Sequence, residues 1–587
     1  MKHSILAFFA IVAICPFCSP AQEAKVSAEL AWALPTTNVH VIVRYKTPPS
    51  ASQHAKVLAK GGILRADLSL IDSGAYTIPA ASIQEISTDP EVEFIGEDHP
   101  VHGLLDITAA AVNAPAAWNR FGLDGAGIGV AVIDSGISDV DDLRSPFFNR
   151  IVYKENFIHA RVADDYYGHG EHVSGIIAGD GGDSTCSNCS RTFRGIAPGA
   201  NLIDLRVLDR NGYGTDSFVI AAIQRAIQLK NIYNIRVINI SLGHPVVESY
   251  KTDPLCQAVE KAWIAGIVVV VAAGNDGRDN SFGNNGYGTI GTPANDPFVI
   301  TVGAMKTTGT PQRDDDRIAS YSSKGPTPID HIVKPDIVAP GNQVVSLLAP
   351  AGSLRHSFPS NIVPLNYFRW TRSSAPSGAY YTLSGTSMAA PVVSGAVALL
   401  LQAHPNLTPD QVKARLMRSA FKDFPQSSIA HDPTTGQSFT SFYDIFTVGA
   451  GYLDIRAALL DNSLFSGTAN SPAAQYIPGG RGKIGTTQIV CGTYTVCGGS
   501  SVILDDDNSW STHSRGQFVW GTQSVWSNQS VWSNQSIWSN QSVWSNGTIL
   551  GNQSVWSNQS VWSNQSVWSN NTAQKASSLL IRILGER

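Results

Sequence analysis

The sequence predicts an α/β fold: a parallel sheet with helices on both faces, preceded by a small α+β module and followed by a β-type repeat region. Three observations predict it. From about residue 105 to 465, short runs that are apolar along nearly all their length, such as 129–134 (GVAVID) and 267–273 (IVVVVAA), alternate with stretches of helical spacing. A strand that is apolar throughout is buried on both faces, the condition of a parallel sheet covered by helices. Residues 22–104 lack that alternation, and beyond about residue 466 the composition shifts to a recurrent Ser, Asn, Gln and Trp unit.

The elements follow in chain order. Lys2 and His3 precede an apolar run over 5–18, and Ser19-Pro20-Ala21 supplies small residues before a break. This is the pattern of an export signal over 1–21, cut after Ala21. The run is shorter than the ~20 apolar residues of a membrane span; an uncleaved anchor is the competing reading. No later stretch is expected to cross a bilayer. Within 22–104, strands are expected at 40–45 (HVIVRY) and 92–96 (VEFIG), and helices at 50–60 and 81–87. In the main region, strands are expected at 129–134, 202–208, 237–242, 267–273, 298–303 and 336–339. Helices are expected at 218–227, after the cap signal Thr215-Asp216-Ser217, and at 254–265. Thr408-Pro409-Asp410-Gln411 combines a cap, Pro at the first helical position and Gln three residues on, so another helix starts there.

The region 466–587 carries the repeat, with its hexads over 516–570. Trp recurs at 520, 526, 532, 538, 544, 556, 562 and 568, and Leu550 fills the one gap in the register. An even period keeps Trp on one face of an extended chain, whereas six residues of helix rotate about 600° and make no stripe. A hexapeptide solenoid or stacked hairpins are expected, against a low-complexity tail. Surface attachment, glycan binding by Trp faces, or a stalk are the roles this suggests. The Asn-x-Ser/Thr sequons are read as by-products of the repeat.

With 587 residues, 43% hydrophobic and 15% charged, the chain is not disordered throughout. Its net charge of −5 gives no basic excess to neutralise phosphates, so no nucleic-acid partner is expected. Two of the seven cysteines, Cys15 and Cys18, leave with the signal. Cys186 with Cys189, and Cys491 with Cys497, are close enough to be read as disulfides outside the cell. Cys256, in an expected helix, reads as a buried thiol.

Functional residues in open α/β sheets gather beyond the carboxyl ends of the strands. Asp134 ends GVAVID, Ser241-Leu242-Gly243 follows VINI, and Asn275 follows VVVVAAG. Two further segments stand out: GHGEHVSGIIAG with His169, and LSGTSMAAPVVSG with Ser387. Together, VIDSGI, GHGEH and GTSMAAP in this order resemble the subtilisin-like serine peptidases, the subtilase family. The resemblance covers about 105–465, and the leader at 22–104 resembles the inhibitory propeptide of that family. It implies a secreted serine endopeptidase, made as a self-processing zymogen, with Asp134, His169 and Ser387 as triad and Asn275 as oxyanion donor. It also implies that Ser241, Leu242, Gly243, Ala273 and Gly274 line the groove for a peptide or protein substrate, and that no cofactor is required. Calcium is common in the family, but the 179–194 loop does not look like its usual calcium loop, so calcium is left unassigned and no metal ligands are named.

Residue chemistry supports the same reading. A Ser hydroxyl is a weak nucleophile and needs an adjacent base; histidine titrates near neutrality. A buried Asp would fix the imidazole tautomer and stabilise the imidazolium. Ser387 opens a helical pattern, where free N–H groups and the helix dipole favour an oxyanion. Singly, each residue could be a cap or a satisfied core polar group. Glu171 departs from the family, which usually has a small hydroxyl residue there: it either raises the His169 pKa or points to solvent. His169-x-x-His172 with Cys186-x-x-Cys189 loosely suggests zinc, and a sedolisin-like Ser-Glu-Asp site is set aside because His169 and Asn275 are present. The insert 342–381 and His244-Pro245 are expected to narrow the groove, and processing is expected near 102–105. An adhesive scaffold with a decayed peptidase domain is the rival from another class.

Overall fold

The computed structural model describes residues 25–26, 30, 38–97, 107–144, 149–158, 164–280, 285–425, 427–432, 435–477, 486–491, 495–496 and 586. The signal segment, Cys497 and all the Trp hexads lie outside the described residues. The chain divides into two compact units, Met1–His102 and Gly103–Arg587.

The first unit is an α+β module. It contains β1 (Asn38–Tyr45), α1 (Ala51–Leu58), β2 (Ile63–Leu68), β3 (Ser73–Pro79), α2 (Ile83–Ser87) and β4 (Val92–Glu97). The strands form an antiparallel sheet in the order β2-β3-β1-β4. Helix α1 starts where the sequence places it, because Gln53 Oε1 accepts the Ser50 N–H at 2.5 Å in a capping box. The expected helix at 81–87 is a 3₁₀ turn, Ala80–Ser82, running into α2. Strands β2 and β3 were not expected. β2 is an edge strand exposed along most of its length, so it shows no alternation of apolar and polar residues to read.

The second unit is built on an eight-stranded sheet in the order β13-β12-β10-β8-β5-β7-β6, with β14 also pairing β12. Its helices and strands begin with α3 (Ile107–Ala111), α4 (Ala114–Phe121), β5 (Gly129–Asp134), β6 (Ile151–Asn156), α5 (His169–Ala178), β7 (Asn201–Arg206), α6 (Asp216–Tyr233) and β8 (Ile235–Ile240). Then follow β9 (His244–Pro245), α7 (Pro254–Ile264), β10 (Val268–Ala272), β11 (Gly291–Thr292), β12 (Ile300–Lys306), β13 (Arg317–Ile318) and β14 (Ile337–Pro340). All pairings in the sheet are parallel except β12 with β13, so it is mixed at one edge. β6, at the other edge and half-exposed, was not expected. Every residue of β5 and β10 is buried, as continuous apolar runs require.

Helix starts follow local chemistry. Asp253 caps α7 by accepting the Leu255 and Cys256 N–H groups at 2.8 and 3.0 Å, with Pro254 in the first helical position. The expected start at Thr408 is a reciprocal capping box: Thr408 Oγ1 accepts the Gln411 N–H (3.2 Å) and Gln411 Oε1 accepts the Thr408 N–H (3.0 Å). It opens α11 (Pro409–Ser419).

The insert 342–381 holds β15 (Val344–Leu347), α8 (Ser353–Ser357), β16 (Ile362–Pro364), α9 (Leu365–Phe368) and β17 (Pro376–Leu383), with an antiparallel sheet β15-β17-β16. It leads into α10 (Thr386–Ala403), whose mean hydropathy of 1.5 over 18 residues would suffice to cross a membrane. In this fold 83% of that stretch is buried, so α10 is a core helix among the described residues. After α11 come a hairpin of β18 (Ser427–His431) and β19 (Ser438–Phe442), α12 (Ile455–Leu460), and a meander of β20 (Ala473–Ile477), β21 (Thr486–Cys491) and β22 (Thr495–Val496). Cys186 and Cys189 form a disulfide, as expected, and Cys256 is a buried thiol. The chain crosses from one side of β5 to the other between β7 and β8, so the crevice at the carboxyl ends of β5 and β8 is where an open sheet of this kind takes a ligand.

Candidate active site

Asp134 is the last residue of β5 and is 1% exposed. Its Oδ1 accepts the Ser135 N–H and the His169 Nδ1–H, both at 2.8 Å. Nδ1 is thereby committed, and Nε2 is the ring nitrogen that can act as base. Burial pulls the His169 pKa down, but the Asp134 charge and hydrogen bond, with the Asp165 charge, outweigh it and raise it overall.

His169 is the first residue of α5, and Asp165 organises that helix start. Asp165 Oδ1 accepts the Tyr167 and Gly168 N–H groups (3.0 and 2.7 Å) and the Ser135 hydroxyl (2.9 Å), while Oδ2 accepts the Glu171 N–H (2.8 Å). Ser135 Oγ in turn accepts the Gly170 N–H at 2.8 Å. A Cβ at Gly170 would lie 2.3 Å from the Gly136 carbonyl oxygen, so this position needs glycine for the helix to approach β5. Sequence reading missed Asp165; an acidic residue just before a helix start is the cap signal that could have found it. The insert braces the same entry, with the Ser353 and Leu354 N–H groups donating to the Tyr166 and Tyr167 carbonyls.

Ser387 is the second residue of α10, behind Gly385 at φ +148°. Pro391, four residues on, has no N–H to give the Ser387 carbonyl. Ser241 Oγ takes that role, donating to the Ser387 carbonyl at 3.0 Å, and the Ser387 hydroxyl donates back to the Ser241 carbonyl at 3.0 Å. Carbonyl and hydroxyl of Ser387 are therefore both tied to the end of β8. Its single hydroxyl proton goes to Ser241, so His169 does not receive it in this arrangement. Asn275 Oδ1 accepts the Thr386 N–H (2.8 Å) and hydroxyl (3.1 Å). Because that oxygen is the acceptor, the amide NH₂ of Asn275 is the free donor end, beside the Gly385–Ser387 turn. Thr386, another residue sequence reading missed, also accepts the Gly274 N–H on Oγ1 at 3.2 Å.

The residues expected to line the groove have packing reasons of their own. A Cβ on Gly243 would lie 2.3 Å from the Thr292 carbonyl oxygen, where β9 and β11 pair. Gly274 sits at φ +108° with Ser323 Oγ 2.8 Å from the place of its Cβ. Ala273 and Ser241 are buried, and Leu242 packs against the core.

Glu171 follows neither expectation. It is wholly buried; Oε2 accepts the Ser138 N–H at 2.5 Å, and Oε1 has no partner. Burial, and then the Asp165 charge, push its pKa well above the ordinary Glu value. The shift favours its neutral form, and Glu171 is not among the charges acting on His169. The zinc reading fails on geometry: Cys186 and Cys189 are bonded to each other, and His172 Nε2 donates to the Val344 and Tyr381 carbonyls at 3.1 Å each. Burial takes the His172 pKa down to about 3. In the 179–194 loop Asp180 takes the Gly182 N–H (2.9 Å), and Asp142, packed beside the loop, takes the Asp183 N–H (2.7 Å) and the Tyr380 hydroxyl (2.6 Å). Among the described residues no group of three His, Cys, Asp or Glu side chains is arranged to hold a metal ion.

The Subtilase family model matches residues 125–451, more than half of the chain. Over 359 residues the chain is 37% identical to serine protease AprX of Bacillus subtilis (strain 168), covering 59% of this chain and 74% of that protein. It is 33% identical over 394 residues to subtilisin E of the same organism, covering 66% and 86%. To the extracellular serine proteinase of Thermus sp. (strain Rt41A) it is 32% identical over 376 residues, covering 61% and 73%. The matched span contains Asp134, His169, Asn275 and Ser387. The chain belongs to the subtilase family and is a serine-type endopeptidase.

Proposed function

We propose that Ser387 is the nucleophile, His169 the general base, Asp134 its orienting carboxylate and Asn275 the oxyanion donor. The observation that carries this assignment is the 2.8 Å bond between Asp134 Oδ1 and His169 Nδ1 at the switch point of the sheet. In this reading the Ser387 hydroxyl leaves the Ser241 carbonyl and gives its proton to His169 Nε2 as Oγ attacks the peptide carbonyl. The Asn275 amide and the main chain at the start of α10 stabilise the oxyanion. His169 then protonates the leaving amine, and water releases the acyl group by the reverse sequence. A fluorophosphonate label should land on Ser387 and nowhere in a Ser387→Ala variant; a label on another residue would overturn the assignment.

The 22–104 module acts as folding helper and inhibitor, removed by self-cleavage near 102–105. The export pattern over 1–21, the Cys186–Cys189 disulfide and likeness to a proteinase named extracellular support secretion. Substrate runs along Ser241–Gly243 and Ala273–Gly274 as an added strand, and the Trp hexads serve attachment to a surface or glycan. A Ser387→Ala protein should accumulate as precursor; normal processing of it would assign the cut to another peptidase.

A further inference from the structure

Where the chain leaves the sheet after Asp134 it enters a buried turn, 135–138, that no strand ladder holds. A buried N–H needs a partner, and three in this turn find carboxylates from three different elements. The Ser135 N–H goes to Asp134 Oδ1 (2.8 Å), the Ile137 N–H to Asp204 Oδ2 (3.1 Å) and the Ser138 N–H to Glu171 Oε2 (2.5 Å). Lys154 Nζ donates to the Ile137 carbonyl at 2.7 Å, so residue 137 is gripped on both sides. Lys154 in β6 and Asp204 in β7 are direct cross-strand partners. Asp204 is costly where it stands. It is 1% exposed, in a strand buried along nearly its whole length, and its Oδ1 has no partner among the described residues. Burial pushes its pKa well above the ordinary Asp value, against the charges of Lys154 and Arg206 and with that of Asp165. An apolar residue would fill the same place at lower cost, so what Asp204 contributes is its hold on Ile137.

We propose that Asp204 is a positioning residue for Asp134: with Lys154 it fixes the main chain at Ile137, and through that turn it fixes the Ser135 N–H, which shares Asp134 Oδ1 with His169 Nδ1. Both hydrogen bonds to that oxygen are 2.8 Å. A turn that shifts either draws Oδ1 away from the imidazole or gives up its own N–H. The first weakens the tie that sets the tautomer and stabilises the imidazolium; the second leaves a buried donor unpaired. A misplacement of about 1 Å costs ~10² in rate. Glu171 closes the same turn one residue on, so the acid that departs from the family pattern and the acid in β7 work as one clamp. Asp204 and Lys154 act through Asp134 and make no contact with the reacting atoms. The inference rests on the proposed triad of Asp134, His169 and Ser387.

Four full-length enzymes decide it: the parent, Asp204→Val, Asp204→Asn and Lys154→Met. Fluorophosphonate titration of Ser387 counts the active sites in each, so that rates are per folded enzyme. Asp204→Val removes the acceptor and should lower kcat about tenfold or more with KM unchanged. It should also move the acid limb to lower pH, because the Asp134 charge and hydrogen bond are what hold the His169 pKa up. Asp204→Asn loses the same ionisable group but keeps an oxygen for the Ile137 N–H, and should restore most of the rate and the parental limb. Lys154→Met, at a side chain 28% exposed, should lower kcat in the same sense, and it decides alone if Asp204→Val yields no titratable enzyme. If Asp204→Val loses thermal stability while kcat and limb stay parental, Asp204 is a packing residue and the proposal is overturned. Asp204→Asn falling as far as Asp204→Val, or an unchanged kcat in Lys154→Met, overturns it equally. A label on a residue other than Ser387 refutes the triad and this proposal with it; a label on Ser387 beside parental kinetics in Asp204→Val refutes the positioning role alone.

Discussion

Replacing Glu171 by glutamine tests whether the buried carboxyl is neutral. The neutral Glu and the Gln side chain have the same shape, and the amide oxygen of the substituted side chain can take the Ser138 N–H that Oε2 takes now. The folded pKa of Glu171 is raised, so over the range between the unfolded and folded values the native state holds a proton that the unfolded chain has lost. Stability from this group is complete below the ordinary Glu value and falls as pH rises toward the folded value. Inside that range, going from about pH 5 to about pH 6 costs at most about 1.4 kcal/mol, the linkage of one pH unit. The Glu171→Gln variant lacks that slope. In a unit of this size the difference amounts to about 2 °C in Tm between the two pH values. It is read as the change in Tm between those pH values for wild type and variant in the Ser387→Ala background. The acid limb of activity, measured with Ser387 intact, should coincide for the two proteins, because Glu171 carries no charge toward His169. An unchanged Tm slope, or a displaced acid limb, would refute the reasoning.

Three other substitutions separate the roles. Asp134→Asn keeps an oxygen for the Ser135 N–H but removes the charge beside His169, and should lower kcat by about 10⁴, a figure taken from serine-peptidase triads in general. Burial and loss of the Asp134 charge should also lower the His169 pKa, moving the acid limb to lower pH; a limb that moves upward contradicts the electrostatics. Asn275→Ala should cost about 10²–10³ in kcat with little change in KM, a magnitude measured on a subtilisin, a relative within this family. A loss expressed in KM would make Asn275 a substrate-binding residue instead. Asp336→Asn strips the counter-charge from two buried lysines, Lys334 at 2.7 Å and Lys413 at 3.2 Å, and should destabilise the unit by about 3–5 kcal/mol. Thermal unfolding that moved by only a degree or so would show that the lysines are neutral.

The buried half of the fold was readable because its physics is local and uniform. β5 and β10 are nearly continuous apolar runs, and α11 begins at Thr408 with a cap that sequence alone announces. β2 and β6 escaped because edge strands are exposed and lack a periodic face to reveal them. Asp134, His169, Asn275 and Ser387 were legible as motif residues at strand ends and helix starts. Thr386 and the pairing of Ser241 with Ser387 were not, because each joins groups brought together from distant positions; Asp165 was missed although its main-chain partners lie only two to six residues on. Glu171 was misjudged for a related reason: sequence shows that it neighbours two histidines, but not that its side chain turns inward to the Ser138 N–H.

Pro391 makes the position of Ser387, the proposed nucleophile, a property of two elements rather than one. In an uninterrupted helix the Ser387 carbonyl would be satisfied within its own turn, and the helix could shift along its axis without consulting the sheet. Here a missing proton, four residues away, hands that oxygen to a side chain at the tip of β8. The Ser387 hydroxyl is thus registered against the strand tip that borders the crevice at the carboxyl ends of β5 and β8, so a displacement of that tip carries hydroxyl and crevice wall together. Restoring the proton with Pro391→Ala offers the carbonyl a rival donor, and the helix gains an internal bond at the expense of that alignment.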